Sequence, residues 1–385
     1  MLSSPKRVES AEHTVVYHGD GEFSAWPFNG GMWKTDDGVV VAFINHDCDY
    51  SVPENLHDAK VVRYGSVVSP TENKQNQLSH ARIETYGSIR AMRTTDGGDT
   101  WTDDGVISDN VETSEQVLYN EIPDVEPHDF SNRDTLMACW SSPHSAASDA
   151  VPWVKLSDDG GNSWSDAKRL PMFDFERIQG RPSYITREDG TLLLMLTGKT
   201  GSDPHDVPIV YASFDGGQNW SFLSQIGGSE KYRMLCPSPV LLEDGTLVAA
   251  VRCKISVDCE WTEIYRSTDD GRNWSFVSRV NDLGAPSKLL EYDGSLVCIY
   301  GYRHPPYGIR ARVSHDDGST WSREWVLRDD GANYDLGYPR AAVLDDGTIL
   351  ATYYFNKQDD DVAVDGGPRH IAATRFDPTE LLAER

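Results

Sequence analysis

Five copies of one eight-residue pattern, Ser/Thr-x-Asp-x-Gly-x-x-Trp, constrain this chain more than any other feature. They are Thr94–Trp101, Ser157–Trp164, Ser213–Trp220, Ser267–Trp274 and Ser314–Trp321. Their tryptophans are 63, 56, 54 and 47 residues apart, a period that belongs to a propeller, a solenoid or another array. The pattern has the chemistry of a tight hairpin. The Asp bonds backbone N–H groups across the turn, the Gly supplies a positive φ, and the Trp packs against the strand.

A second repeat runs out of phase with the first. Asp-Gly pairs stand at Asp37-Gly38, Asp189-Gly190, Asp244-Gly245, Asp293-Gly294 and Asp346-Gly347, each leading into an apolar run. Eight residues before the Gly lies a proline in four of them: Pro182, Pro237, Pro286 and Pro339. A degenerate copy spans Pro127–Thr135. Asp-Gly between alternating strands is a hairpin signal, so each unit supplies four antiparallel strands. Six units predict an all-β, six-bladed β-propeller of four-stranded antiparallel blades. The repeats cover nearly all of residues 1–385, which reads as a single propeller domain with a long blade-one insertion at about 50–90. In the last blade, inner strands are expected within Arg340–Phe355 and a third at His370–Arg375. Thr14–Tyr17 is left to close the ring as the outermost strand, removing an open edge. The one stretch of helical character is the C-terminal PTELLAER.

A net charge of −26 argues against nucleic acid or anionic membranes as partners. Arg outnumbers Lys by 24 to 11, so an anionic substrate would need a local arginine cluster against this field. The six cysteines are scattered; Cys139, Cys253 and Cys298 read as core packing, and Cys253 and Cys259 could pair across a loop. With no apolar core in MLSSPKRVESAEH, the expectation is a reduced, cytoplasmic protein. No Cys/His cluster has zinc-site spacing, and neither metal nor cofactor is expected.

Propeller geometry places the Asp-Gly turns and the Trp-containing turns on one face, and the mouth of the central funnel on the other. The residues flanking the prolines then form a ring: Asn29, Glu126, Arg181, Cys236, Ala285 and Tyr338 before, and Gly31, His128, Ser183, Ser238, Ser287 and Arg340 after. The second strands of the blades end on the same face with His46-Asp47-Cys48-Asp49, Arg252, and Tyr302-Arg303-His304. Two further arginines, Arg310 and Arg312, open the third strand of blade five. A ring of Glu, His, Tyr and Arg side chains reads as a binding or catalytic site.

Five such turns on a six-blade repeat resemble the sialidase (neuraminidase) superfamily over essentially the whole chain. In that family the turn is called an Asp box. The resemblance implies a glycoside hydrolase with a Tyr nucleophile; Gly337-Tyr338-Pro339-Arg340 before Asp346-Gly347 makes Tyr338 its counterpart. It implies a carboxylate-binding Arg at Arg252, in LVAAVR, and an acid/base Asp at Asp47 or Asp49. Departures mark a divergent branch with an incomplete arginine triad. The first triad Arg falls on Phe28-Asn29-Gly30, the Glu that polarises the Tyr falls on Cys236, and the third Arg is nearest Arg303 or Arg310. Glu126 is the candidate replacement for the Glu, and Arg181 or Arg340 for the missing cation. His46 and His128 are further candidates for substrate binding. The expected activity is exo-hydrolysis of a terminal acidic or unusual sugar, with a small carbohydrate or glycan as partner. A non-catalytic glycan-binding propeller and a uronate-specific lyase using Tyr and His are the alternatives.

Overall fold

The structure, a computed structural model, describes residues 4–47, 87–108, 127–142, 150–256, 258–357 and 368–383. Asp49, Glu126, Cys48 and nearly all of the blade-one insertion lie outside the described residues.

Six antiparallel sheets form the blades of a propeller, as the repeats predict. Blade one holds Gly31–Thr35, Gly38–Asp47, Ser88–Thr94 and Thr102–Ser108, with Glu22–Ala25 continuing the inner edge. Blade two shows Leu136–Ser142, Val151–Ser157 and Lys168–Arg169 among the described residues. Blade three holds Tyr184–Thr186, Leu192–Lys199, Val207–Ser213 and Ser221–Gln225, and blade four Arg233–Leu241, Leu247–Ser256, Cys259–Ser267 and Ser275–Arg279. Blade five holds Ser287–Tyr292, Ser295–Tyr302, Tyr307–Ser314 and Trp325–Gly331. In blade six, Gly337–Val343, Ile349–Phe355 and His370–Phe376 are completed by Glu12–Tyr17, paired antiparallel to His370–Phe376. The N-terminal strand thus closes the ring as expected. Two details go beyond the sequence reading. Lys6–Arg7 adds a short parallel strand to blade five, and Pro27–Gly30 forms one helical turn at the axis.

Both faces of each sheet are buried, and the strand period divides the side chains between neighbouring blades. Along blade one, Val39, Val41 and Phe43 pack with Leu350 of blade six, whereas Val40 and Ala42 pack with Leu136, Ala138 and Trp140 of blade two. Cys139, Cys253 and Cys298 are buried free thiols, and Cys259 is also free. Among the described residues no helix is long and apolar enough to cross a membrane.

The Asp boxes do more than turn the chain. In the blade-five box, Ser314 Oγ donates to Asp316 Oδ1 (2.8 Å) and accepts the Gly318 N–H (2.8 Å), while Asp316 accepts the Thr320 N–H (2.8 Å). Each turn also reaches the preceding blade. Trp274 Nε1 donates to Ser224 Oγ (3.2 Å) and Trp321 Nε1 to Ser278 Oγ (3.0 Å). Arg93 donates to Gly160 O (2.8 Å) and Arg266 to Asp317 O (2.7 Å). The two turn families share a face, since Gly160 N–H donates to Asp134 O (2.9 Å) and Arg187 pairs with Asp270 (2.5 Å). The boxes are structural latches remote from the funnel.

Removing one latch tests this. Ser267 is buried, and its Oγ accepts the Gly271 N–H (3.0 Å) and donates to Asp269 (2.9 Å). Ser267→Ala leaves a buried N–H without its acceptor and is expected to cost about 1–3 kcal/mol in urea denaturation, without a change of fold by circular dichroism.

Candidate active site

The funnel face is organised by a hairpin of blade four. Arg252 and Lys254 stand two apart on Leu247–Ser256 and so share one side of the strand. The antiparallel register sets Lys254 opposite Glu260 and Arg252 opposite Thr262, which makes Arg252 and Glu260 diagonal neighbours. All three side chains are buried, Glu260 at 1% exposure. Arg252 donates from Nε (3.1 Å) and Nη2 to Glu260 Oε2, and Lys254 Nζ lies 3.5 Å from the same oxygen. From blade five, Arg303 Nη1 comes within 3.5 Å of Glu260 Oε1.

One carboxylate therefore faces three cations, and its charge is well determined. Burial alone would raise the pKa of Glu260; Arg252, Lys254 and Arg303 overcome that and bring it down to about 2. Burial works against the Arg252 charge as well, but Glu260 more than restores it, holding its pKa well above the ordinary value. Lys254 goes the other way. Burial and the Arg252 charge push it well down, because two guanidinia already serve the carboxylate. Lys254 is the cation of the cluster that gives up its proton most readily.

Tyr338 sits on this platform. Arg252 Nη1 donates to its phenol oxygen at 2.8 Å, and the guanidinia of Arg252 and Arg303 lie 5.5 and 5.2 Å from its ring centroid. The backbone turns it into the funnel at a bulge. The pairing register shifts between Gly337 and Arg340, and Tyr338 takes φ +52°, a costly conformation for a non-glycine residue. Gly337 beside it has φ +101°, and a Cβ there would stand 2.9 Å from Gly301 Cα. Cys236 occupies the matching place in blade four, also at φ +52° beside a register shift. Phe28 and Tyr354 flank the Tyr338 ring at 6.5 and 6.0 Å. Tyr354 donates to Asp335 (2.7 Å), which pairs with the fully buried Arg369 (2.7 Å).

The remaining candidates divide. Arg181 is buried across the ring, donating to Asn29 Oδ1 (3.0 Å) and Gln179 Oε1 (2.9 Å), with Nη1 left without a partner. This brings a cation to the segment where the family's first arginine is missing. Arg340 is buried over the Phe28 ring (4.5 Å) and donates to Phe28 O from Nε (3.2 Å) and Nη2 (2.7 Å). Asp47 is exposed at the end of its strand, opposite Glu22. His46 joins the site through aromatic contacts, with its ring 6.2 Å from Trp26, which lies 6.2 Å from Tyr354.

One candidate is not in the funnel, and another does not reach Tyr338. His128 lies at the Asp-box face: its N–H donates to Gly216 O (3.1 Å) and its Nδ1 is 2.8 Å from Asp158. The blade-two turn begins at Asp129, immediately after it, so His128 belongs to the turn end of its blade. Arg310 turns to Pro306 O (3.1 Å) and the Tyr302 ring (4.8 Å), leaving Arg303 as the blade-five arginine beside Tyr338. Arg252 spends one Nε and one Nη2 donor on Glu260 and one Nη1 donor on Tyr338, so it braces Tyr338. Glu260, Lys254 and Asp335 were not singled out from the sequence; alternation across the hairpin 252–260 is the signal that places Glu260 with Arg252 and Lys254. Among the described residues no group of three or more His, Cys, Asp or Glu is placed to hold a metal ion.

Glu260→Gln keeps the shape and removes the charge. It is expected to cost about 3–5 kcal/mol, because Arg252 and Arg303 are left without their anion. The loss is pH-dependent. Glu260 titrates near 2 when folded, below its ordinary 4.5, so its stabilisation is present above pH 4.5 and lost as pH falls toward 2. Urea denaturation from pH 6 to pH 3 should show the difference between wild type and Glu260→Gln narrowing below pH 4.5.

The chain was compared with known proteins. A structure from Dyadobacter fermentans DSM 18053, described as a protein of unknown function, is 23% identical and covers 96% of this chain and 99% of its own, with a TM-score of 0.69. A Trypanosoma rangeli sialidase mutant displaying trans-sialidase activity is 14% identical over 99% of this chain and 61% of its own, with a TM-score of 0.59. The T. rangeli sialidase with 2,3-difluorosialic acid, described as a covalent intermediate, gives 13% identity, 99% and 60% coverage, and a TM-score of 0.60. At these identities the likeness is one of fold, and the chain spans about three fifths of the length of those sialidases. No curated protein sequence matches. Residues 87–350, more than half of the chain, match the family model described as a BNR repeat-like domain. With its Asp boxes and sialidase-like six-bladed propeller, this chain belongs to the BNR repeat-like family.

Proposed function

We propose that this protein is an exo-acting glycoside hydrolase with Tyr338 as its nucleophile. The observation that carries the reading is the 2.8 Å bond from Arg252 Nη1 to the Tyr338 oxygen, on a ring turned into the funnel by a strained bulge and braced from behind by Glu260. Such an outlier at a funnel mouth is the kind of strain that functional sites retain.

The chemistry follows a double displacement. An Asp at the blade-one strand end, Asp47 or Asp49, donates its proton to the leaving glycosidic oxygen as the anomeric C–O bond breaks. The Tyr338 oxygen bonds to the anomeric carbon, and its own proton passes to a carboxylate, for which Glu126 is the candidate. Water then attacks the same carbon as the bond to the Tyr338 oxygen breaks; water loses its proton to the Asp carboxylate, the Tyr338 oxygen takes its proton back from the other carboxylate, and the sugar is released with net retention. Glu260 is a poor proton acceptor, held near 2 by its cations. It acts as a positioning residue, fixing Arg252 and through it the phenol.

The sugar is read as one recognised without an arginine–carboxylate clamp. Arg252 and Arg303 already share Glu260, and Arg181, Arg252 and Arg340 are all buried on protein partners. The lyase alternative loses His128, which lies at the opposite face, and keeps only His46 on the funnel side.

A panel of terminal glycosides, neutral and acidic, tests the reading. Tyr338→Phe should keep the fold and substrate binding while turnover falls roughly 10³-fold or more. Arg252→Lys keeps the charge but loses the fork; it should lower kcat by roughly tenfold to a hundredfold and move KM little. Full turnover by Tyr338→Phe would exclude the nucleophile. Glycan binding by wild type with no turnover of any member of the panel would favour a binding propeller.

A further inference from the structure

On the axis, toward the Asp-box face, the blades line a second space that is open at its outer end, where Arg133 stands exposed. It measures about 300 Å³, and residues of all six blades line it. Its charged lining consists of Lys34, Arg133, Lys288 and Arg340, with no carboxylate among the lining residues. That is the reverse of the molecule as a whole, whose net charge is −26.

Two of these cations are already accounted for. Lys34 pairs with Asp345 (2.7 Å) and donates to Val343 O (3.0 Å), and Arg133 is exposed at the outer end. The inner pair is different. Arg340 is buried and its acceptors are neutral: Phe28 O and, at 3.2 Å, Ser183 Oγ. Lys288, from the innermost strand of blade five, has no hydrogen-bond or ion-pair partner among the described residues. Burial and the Arg340 charge push Lys288 down to about 7, and burial and the Arg181 charge push Arg340 down to about 9. Lys288, half-buried, and Arg340, buried, line one space without a counter-charge, which is costly to the extent that they are withdrawn from water, and an anion between them removes the cost.

We propose that this axial chamber is a binding site for a small oxyanion, held between the Lys288 ammonium and the Arg340 guanidinium. The site does not depend on the nucleophile of the glycosidase reading, since it uses neither Tyr338 nor Arg252; Arg340 is the one candidate site residue it shares. Phosphate and carboxylate groups share the required chemistry, a compact negative charge with several acceptor oxygens. An anion that binds only the folded propeller raises its stability by mass action.

The test is thermal denaturation of the full chain at pH 6.5, with inorganic phosphate or acetate added against chloride at matched ionic strength. Either oxyanion should raise Tm in a saturable way that chloride does not reproduce, and the one that does identifies the group the site reads. Lys288→Met should abolish that rise, and it should be at least as stable as wild type without oxyanion, because a half-buried charge without a counter-charge has gone. No saturable rise with either anion, or the same rise in Lys288→Met, would overturn the proposal. Calorimetric titration of wild type with acetate gives a second readout. The charged and titratable groups facing the chamber are Lys34, Arg133, Tyr184, Lys288 and Arg340; burial and the Arg340 charge bring Lys288 down to about 7, and burial pushes Tyr184 up to about 12. Acetate should bind about tenfold more weakly at pH 8 than at pH 6. Unchanged affinity across that range would count against Lys288 as the ligand-binding cation.

Discussion

The buried carboxylate of Glu260 is the interaction on which the funnel depends. Taken alone, a carboxylate at 1% exposure would be neutral or destabilising. Here it collects Arg252 and Lys254 from its own hairpin and Arg303 from the next blade, and stays charged. The guanidinium of Arg252 is then fixed by two donors, so its third direction is fixed too, and that direction is the Tyr338 oxygen. Sequence, register and site are linked in one step: a hairpin that pairs Lys254 with Glu260 decides where a tyrosine 78 residues further along is held.

The propeller separates two tasks by face. On one side, Asp boxes spend their Ser, Asp and Trp polar groups on backbone and on the preceding blade, which makes the ring rigid. On the other, Trp26, Cys236 and Tyr338 all take positive φ around the mouth, a costlier conformation for those residue types than for Asp270, Asp293 and Asp317, which take it in the turns. A rigid frame is what allows strain to persist at the site. The cations follow the same division. Those near Tyr338 are matched by Glu260 and Asp335, whereas Arg340 and Lys288 on the axis have no carboxylate among the described residues.

Much of this was legible in the sequence because it is written in short repeats. The Asp boxes and Asp-Gly turns each specify a local hairpin, and their phase specifies the shared face; closure by the N-terminal strand follows from the count of strands in the last blade. Tyr338 and Arg252 were legible because the proline register and the strand end put both at the funnel. His128 was misplaced because the degenerate blade-two copy was read in the same register as the others, although its turn starts at Asp129. The partner of Arg252 was not legible for a different reason. A guanidinium at a strand end can face a ligand or a buried acid, and the choice rests on Glu260, whose position depends on the length of the loop between the two strands. Lys288 was invisible because its significance lies in what does not face it, which only three-dimensional packing decides.

The central claim is that the Tyr338 oxygen, held by Arg252, is the atom that bonds to the sugar. The most direct measurement is intact-mass and peptide mapping after incubation with a panel of fluorinated glycosyl fluorides, which slow release of a covalent intermediate. The account predicts one glycosyl adduct on the peptide containing Tyr338, absent from Tyr338→Phe. An adduct on a carboxylate such as Asp47, or turnover of the same sugar with no adduct on Tyr338, would contradict it.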